Sequence, residues 1–155
     1  MIVVYPCITI TPVLAPYTFP PHLVVPRDKY DQEILEHLDK VFIRIQGKPA
    51  ILGNTVRASI KRALGLHGKP MKLPTIMYML FPEECVTTYS YSIINARGKQ
   101  SVVNIEAILP NCQGELYADS SLKNIVKKNI IIIIGGKRDM GFGRILVRME
   151  SPRGQ

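Results

Sequence analysis

Gly135-Gly136-Lys137-Arg138-Asp139-Met140-Gly141-Phe142-Gly143-Arg144-Ile145-Leu146-Val147-Arg148-Met149 is the stretch that decides the fold class. Four glycines and three cations stand between a run of five isoleucines at 130–134 and an alternating apolar segment. The alternation after Arg144 predicts a strand. A strand there excludes two nucleotide-binding designs, because the Rossmann fingerprint and the Walker loop each open a helix. Glycines gather where a backbone needs positive φ or close approach. Lys137, Arg138 and Arg144 beside them make the loop receptive to an anion, in particular to a phosphate chain.

Further back, residues 85–95 and 101–109 alternate β-formers around the turn Ala96-Arg97-Gly98-Lys99, which predicts a hairpin with a basic tip. Asp119 caps a short helix running to 128, with Leu122, Ile125 and Val126 inward. The isoleucine run 130–134 is a buried strand or the tail of that helix. Residues 54–66 predict a helix that Gly53-Asn54-Thr55 opens and Gly65 ends. Its stripe is Val56, Ile60, Ala63 and Leu64, and Arg57, Lys61 and Arg62 line the other side. Residues 28–42 predict another helix, capped by Asp28, with 42–45 as a short strand in the alternative. Residues 69–84 are a connector or short edge element. Residues 3–11 are strand-like, and Pro12, Pro16, Pro20, Pro21 and Pro26 then forbid regular structure.

The order is strand, excursion, helix, strand-turn-strand, helix, strand. That is the βαββαβ ferredoxin-like arrangement of the α+β class: an antiparallel sheet, two helices on one face, and an irregular insertion after the first strand. One domain spans 1–155, with the insertion at 11–47 and a tail at 151–155. The 46% hydrophobic content supplies a core. No apolar run approaches a membrane span, and the N-terminus lacks the basic leader of a signal peptide. Cys7, Cys85 and Cys112 form no metal-ligand spacing and read as reduced thiols of a cytoplasmic protein, without metal or cofactor.

The net charge is +8. Residues 1–47 hold four cations against five acids, and the rest holds sixteen against seven. A basic region of that size favours nucleic acid or another anionic surface. A second anion-receptive constellation stands at Lys48-Pro49-Ala50-Ile51-Leu52-Gly53-Asn54-Thr55-Val56-Arg57-Ala58-Ser59-Ile60-Lys61-Arg62-Ala63-Leu64, a helix entry with cations in the following turns. The exposed arm carries Tyr17 and Phe19, and the hairpin carries Tyr89 and Tyr91. These rings stack bases or pack on the body, and packing is the preferred reading for the two hairpin tyrosines.

The two constellations in this order, some eighty residues apart, resemble the RAMP superfamily of CRISPR-associated RNA-binding proteins. The chain looks most like the small backbone subunits of type III effector complexes. The resemblance covers 43–66 and 100–149, and elsewhere only the order of elements. It implies an RNA-binding subunit that holds single-stranded guide RNA, partnered by other effector subunits or by copies of itself. Carried over by position, Asn54, Thr55, Arg57 and Lys61 would contact RNA, as would Gly135, Gly136, Lys137, Arg138, Gly141, Gly143 and Arg144. The chain departs from the family at Pro12-Val13-Leu14-Ala15-Pro16, where members have a glycine-rich turn. The resemblance also implies two alternatives. One is an endoribonuclease, through Asp28 and Asp31 with magnesium on target RNA, or through His67 with Lys61 or Lys69 on the guide precursor. The other is a structural or regulatory partner without RNA affinity.

Overall fold

In the computed structural model, which describes residues 1–66, 68–150 and 152–154, the alternating N-terminal segment is a central strand, β1 (Ile2–Thr9). After it come β2 (Val13–Leu14), α1 (Pro21–Val24), α2 (Gln32–Glu36), β3 (Ile43–Ile45), β4 (Lys48–Ile51) and α3 (Gly53–Ala63). The second half holds β5 (Met77–Leu80), β6 (Val86–Ile94), β7 (Gln100–Ile108), β8 (Gln113–Asp119), β9 (Ile130–Ile133), β10 (Arg144–Val147) and β11 (Arg153–Gly154).

β1 pairs antiparallel with β8 on one side and β10 on the other, and β5 pairs antiparallel with β8. α3 is the long helix on the path from β1 to β5, joining β4 to β5 directly, and β8 lies between β1 and β5 in the sheet. This split arrangement is α+β with an antiparallel sheet, compatible with a ferredoxin-like fold. The hairpin of β3 and β4 extends the sheet at one end, and β9 is the edge strand at the other.

Register explains the core. Cys7 stands beside Gly114 and Val147, Tyr5 beside Leu116, and Thr9 beside Ile145, so all of these share one face. Val56 and Ile60 of α3 belong to the same buried cluster. Each large aliphatic group buried there contributes about 1.5–3 kcal/mol. Gly114 has no side chain because the Phe81 ring fills the space its Cβ would need.

Three expectations are corrected. The helix expected over 28–42 is only α2, with Asp31 at its N-cap and no bond from that side chain. Asp28 instead adopts φ 69°, and Leu38 and Val41 turn inward from irregular backbone to pack with Phe19, Val25 and Tyr30. The second core helix, expected over 119–128, is one 3-10 turn at Ser120–Asn124. Asp119 does cap it, accepting from the Ser121 amide at 3.0 Å. The isoleucine run is strand β9, not helix tail.

The third correction concerns the strand pair. The hairpin over 85–109 exists as β6 and β7, but it joins β2 in a separate three-stranded sheet. The core pair is β5 and β8. The sequence shows a break through 110–114 and a helix cap at Asp119, with no strand expected between them. The alternating burial of Gly114, Leu116 and Ala118 is what makes this segment a strand.

Cys85 and Cys112 are joined in a disulfide, against the expectation of reduced thiols. The return of β7 to the base of β6 brings them together, where the Leu109 amide bonds the Cys85 carbonyl at 2.9 Å. That pairing removes the cysteine argument for a reducing compartment. Cys7 stays free and buried, and burial pushes its thiol pKa well up, which keeps it protonated. Among the described residues no helix is long and apolar enough to cross a membrane.

Candidate nucleic-acid interface

The glycine loop is the connection of the β9–β10 hairpin, whose register pairs Arg144 with Ile133 and Val147 with Ile130. Gly143 closes it, accepting from the Ile134 amide at 2.9 Å and donating to the Pro12 carbonyl at 2.8 Å. Gly143 has φ 86°, and a Cβ there would collide with the Ile134 carbonyl. Gly135 is held in the same way against the Leu14 carbonyl. Lys137 and Gly141, both left-handed, bracket a 3-10 turn at Arg138–Met140. The amides from 140 to 144 bond to Lys137, Arg138, Pro12 and the Thr11 hydroxyl. A phosphate here therefore meets side-chain cations rather than the amides of Gly141 and Gly143.

Those cations differ in placement. The Lys137 ammonium lies 4.0 Å from the Tyr91 ring centroid, and Phe142 meets Tyr89 edge-on at 5.4 Å. The two hairpin tyrosines pack along their sheet, half-buried, and hold the loop against it. Arg138 is exposed. Arg144 points one guanidinium nitrogen, Nη1, into the interior beneath Gly141, with no hydrogen-bond partner among the described residues.

α3 begins at Gly53 after the N-cap Leu52, and its cap comes from far away in the chain. The Tyr17 hydroxyl accepts from the Leu52 amide at 2.7 Å and donates to Thr55 Oγ1 at 3.0 Å. Tyr17, a candidate for base stacking in the sequence, thus performs the role expected of Asn54 and Thr55. At the other end the Gly65 and Leu66 amides bond the Arg62 and Lys61 carbonyls, closing the helix as glycine at that position does.

Asn54, Arg57 and Lys61 line one groove of about 640 Å³ with Lys72 and residues 68–75. Arg57 is tied down there, with Nη1 on the Thr75 carbonyl at 2.6 Å and Nη2 on Asn54 Oδ1. On the opposite flank of the helix Arg62 reaches β9, and Nη2 donates to the Ile133 carbonyl at 3.1 Å. The structure thus places the two sequence constellations on neighbouring elements, where Arg62 and Arg138 line one cavity. Arg62 lay in the second constellation but not among its expected RNA contacts, and Lys72 went unselected in the sequence. The helical period was the signal for Arg62, since it sits with Ser59 and Ala63 on the flank toward β9.

Asp28 and Asp31 line one cavity of about 610 Å³ with His22, Arg27 and Tyr30. Among the described residues no three His, Cys, Asp or Glu side chains are grouped to hold a metal ion. His67 lies outside the described residues.

No family model matches the chain, and no curated protein does. A solved structure does share its fold. The chain is similar to one chain of the cryo-EM structure of the Type III-B Cmr-beta bound to cognate target RNA. The TM-score is 0.62 at 11% identity, over 98% of this chain and 60% of that one. The protein therefore spans about three-fifths of its neighbour's length, and the likeness is one of fold.

Proposed function

We propose that the protein is an RNA-binding subunit of a CRISPR ribonucleoprotein, of RAMP type, that grips single-stranded guide RNA by its phosphates and reads its sequence little. One observation carries this reading. α3 presents Lys61 beside Lys72 in an open groove on one flank and Arg62 beside Arg138 on the other, so cations stand on both flanks of one element. The basic excess beyond residue 47 and the fold likeness to a chain of an RNA-bound assembly support it. Its partners would be other effector subunits or further copies, in the cytoplasm, and binding would need no cofactor.

Fluorescence anisotropy with single-stranded RNA tests the reading. About four phosphate contacts give an affinity that falls roughly fifty-fold between 50 and 200 mM salt, on a slope of about 0.7 per phosphate. Lys61→Ala with Lys72→Ala should weaken binding about ten-fold and lower that slope, with the melting curve unchanged. An unchanged slope removes the groove from the RNA path. Absence of any RNA binding by the wild type points instead to a structural partner.

A second reading, metal-dependent cleavage of target RNA, draws on the cavity shared by Asp28, Asp31 and His22. Asp28 holds a left-handed conformation of the kind that clusters at functional sites. Labelled RNA should then be cut with magnesium, and Asp28→Asn or Asp31→Asn should abolish cutting while binding persists. Cutting that survives both substitutions rules this site out.

A further inference from the structure

α3 and the glycine loop meet across the edge strand β9. Ser59 and Arg62 of the helix, Ile131 and Ile133 of the strand, and Arg138 and Asp139 of the loop line a cavity of about 370 Å³ there. Arg62 is oriented by its bond to the Ile133 carbonyl. Burial and then the positive charge of Arg138 hold its pKa below the ordinary arginine value. Two guanidinium groups from different elements thus converge, and no ion pair among the described residues relieves them. Like charges brought together favour an anion between them.

We propose that Arg62 and Arg138 jointly hold one phosphodiester, so that the RNA strand crosses the edge of β9 between α3 and the glycine loop. The charge count selects the ligand. Two guanidinium ions and the Asp139 carboxylate leave one net positive charge, which matches a singly charged internal phosphodiester better than a dianionic terminal phosphate. Guanidinium forks also suit phosphate oxygens geometrically. Ile131, half-exposed beside Ile133, gives the ribose an apolar wall. The seat rests on the RNA-binding reading, and it names a pairing of residues and a strand path that the sequence constellations leave out.

Salt titrations of RNA affinity test it, with wild type, Arg62→Gln, Arg138→Ala and the double variant against a 5′-hydroxyl single-stranded RNA. Gln removes the charge while keeping a polar side chain, and melting curves confirm that β9 stays packed. A shared phosphate predicts about ten-fold weaker binding for each single variant and a salt slope lower by about 0.7. The double variant should then lose little more than either single one, because both partners serve the same group. Multiplying losses, with a slope lower by about 1.4, would mean two separate phosphates and overturn the shared seat. Effects seen only with 5′-phosphorylated RNA would assign the seat to a chain end and overturn the internal position. If Lys61→Ala with Lys72→Ala weakens binding while the arginine variants do not, the seat fails alone. If the wild type binds no RNA, the functional reading fails with it.

Discussion

Glu106→Ala is expected to lower the unfolding free energy by about 3–5 kcal/mol, read from chemical denaturation. Glu106 is fully buried on β7. Its carboxylate accepts from the Tyr30 hydroxyl at 2.6 Å, the Phe42 amide at 3.0 Å, and Arg44 Nη1 and Nη2 at 2.7 and 2.9 Å. Arg44 also bonds Glu83 through Nε at 2.6 Å, and Lys29 pairs with the same carboxylate at 2.9 Å. The network ties the 17–42 insertion, β3, the 83–85 turn and the second sheet to one point. Removing Glu106 leaves an amide and a hydroxyl without acceptors and Arg44 short of charge, which is costlier than losing a surface pair. Glu84→Ala, on the exposed neighbouring position, should stay within about 0.5 kcal/mol of wild type. Equal stability of Glu106→Ala and Glu84→Ala would refute the network's role.

The same network sets an acid limit. Burial pushes the Glu83 carboxyl up, but hydrogen bonds and charge from Arg44 and Lys29 outweigh it and hold the group below its ordinary value. A depressed folded-state pKa adds stability above the unfolded value, about 4.3, and that stability is lost as pH falls through the folded value. Glu83→Gln should therefore be less stable than wild type at neutral pH and converge with it in acid. A gap that persists unchanged to pH 2 would contradict this linkage.

Reduction of Cys85–Cys112 should cost roughly 3–4 kcal/mol, since the bond closes a loop of 27 residues in the unfolded chain. The loop is the β6–β7 hairpin itself, so the bond staples the second sheet to the start of β8. The glycine loop leans on that sheet through Tyr89 and Tyr91, and so reduction should also loosen the loop and its cations. The check is a melting curve with and without reductant, with Cys85→Ser/Cys112→Ser as the genetic equivalent. A reductant-insensitive curve, matching that of the double variant, would show that the staple contributes nothing.

The local readings that survived share a physical basis. Periodicity and end chemistry sufficed for α3, for the β6–β7 hairpin and for the glycine loop between two strands, because each is decided by residues a few positions apart. The helix over 28–42 failed because its apolar stripe is equally well buried by irregular chain. Lys29, Tyr30 and Arg44 are drawn to Glu83 and Glu106, 39 to 76 residues away, where no local pattern reveals them. The site shows the same division. Gly53 to Lys61 and Gly135 to Arg144 stood out as anion-receptive, whereas the cap from Tyr17, the restraint on Arg57 and the pairing of Arg62 with Arg138 did not.

The sequence by itself determined the α+β class, the basic surplus and the two glycine-opened segments rich in cations, since composition and short-range spacing are written along the chain. Tertiary structure alone decided which strands form the central pair, which cysteines meet, and which cations stand together. Those outcomes depend on contacts whose loop-closure cost is repaid only when the whole core assembles, and no local window contains that balance.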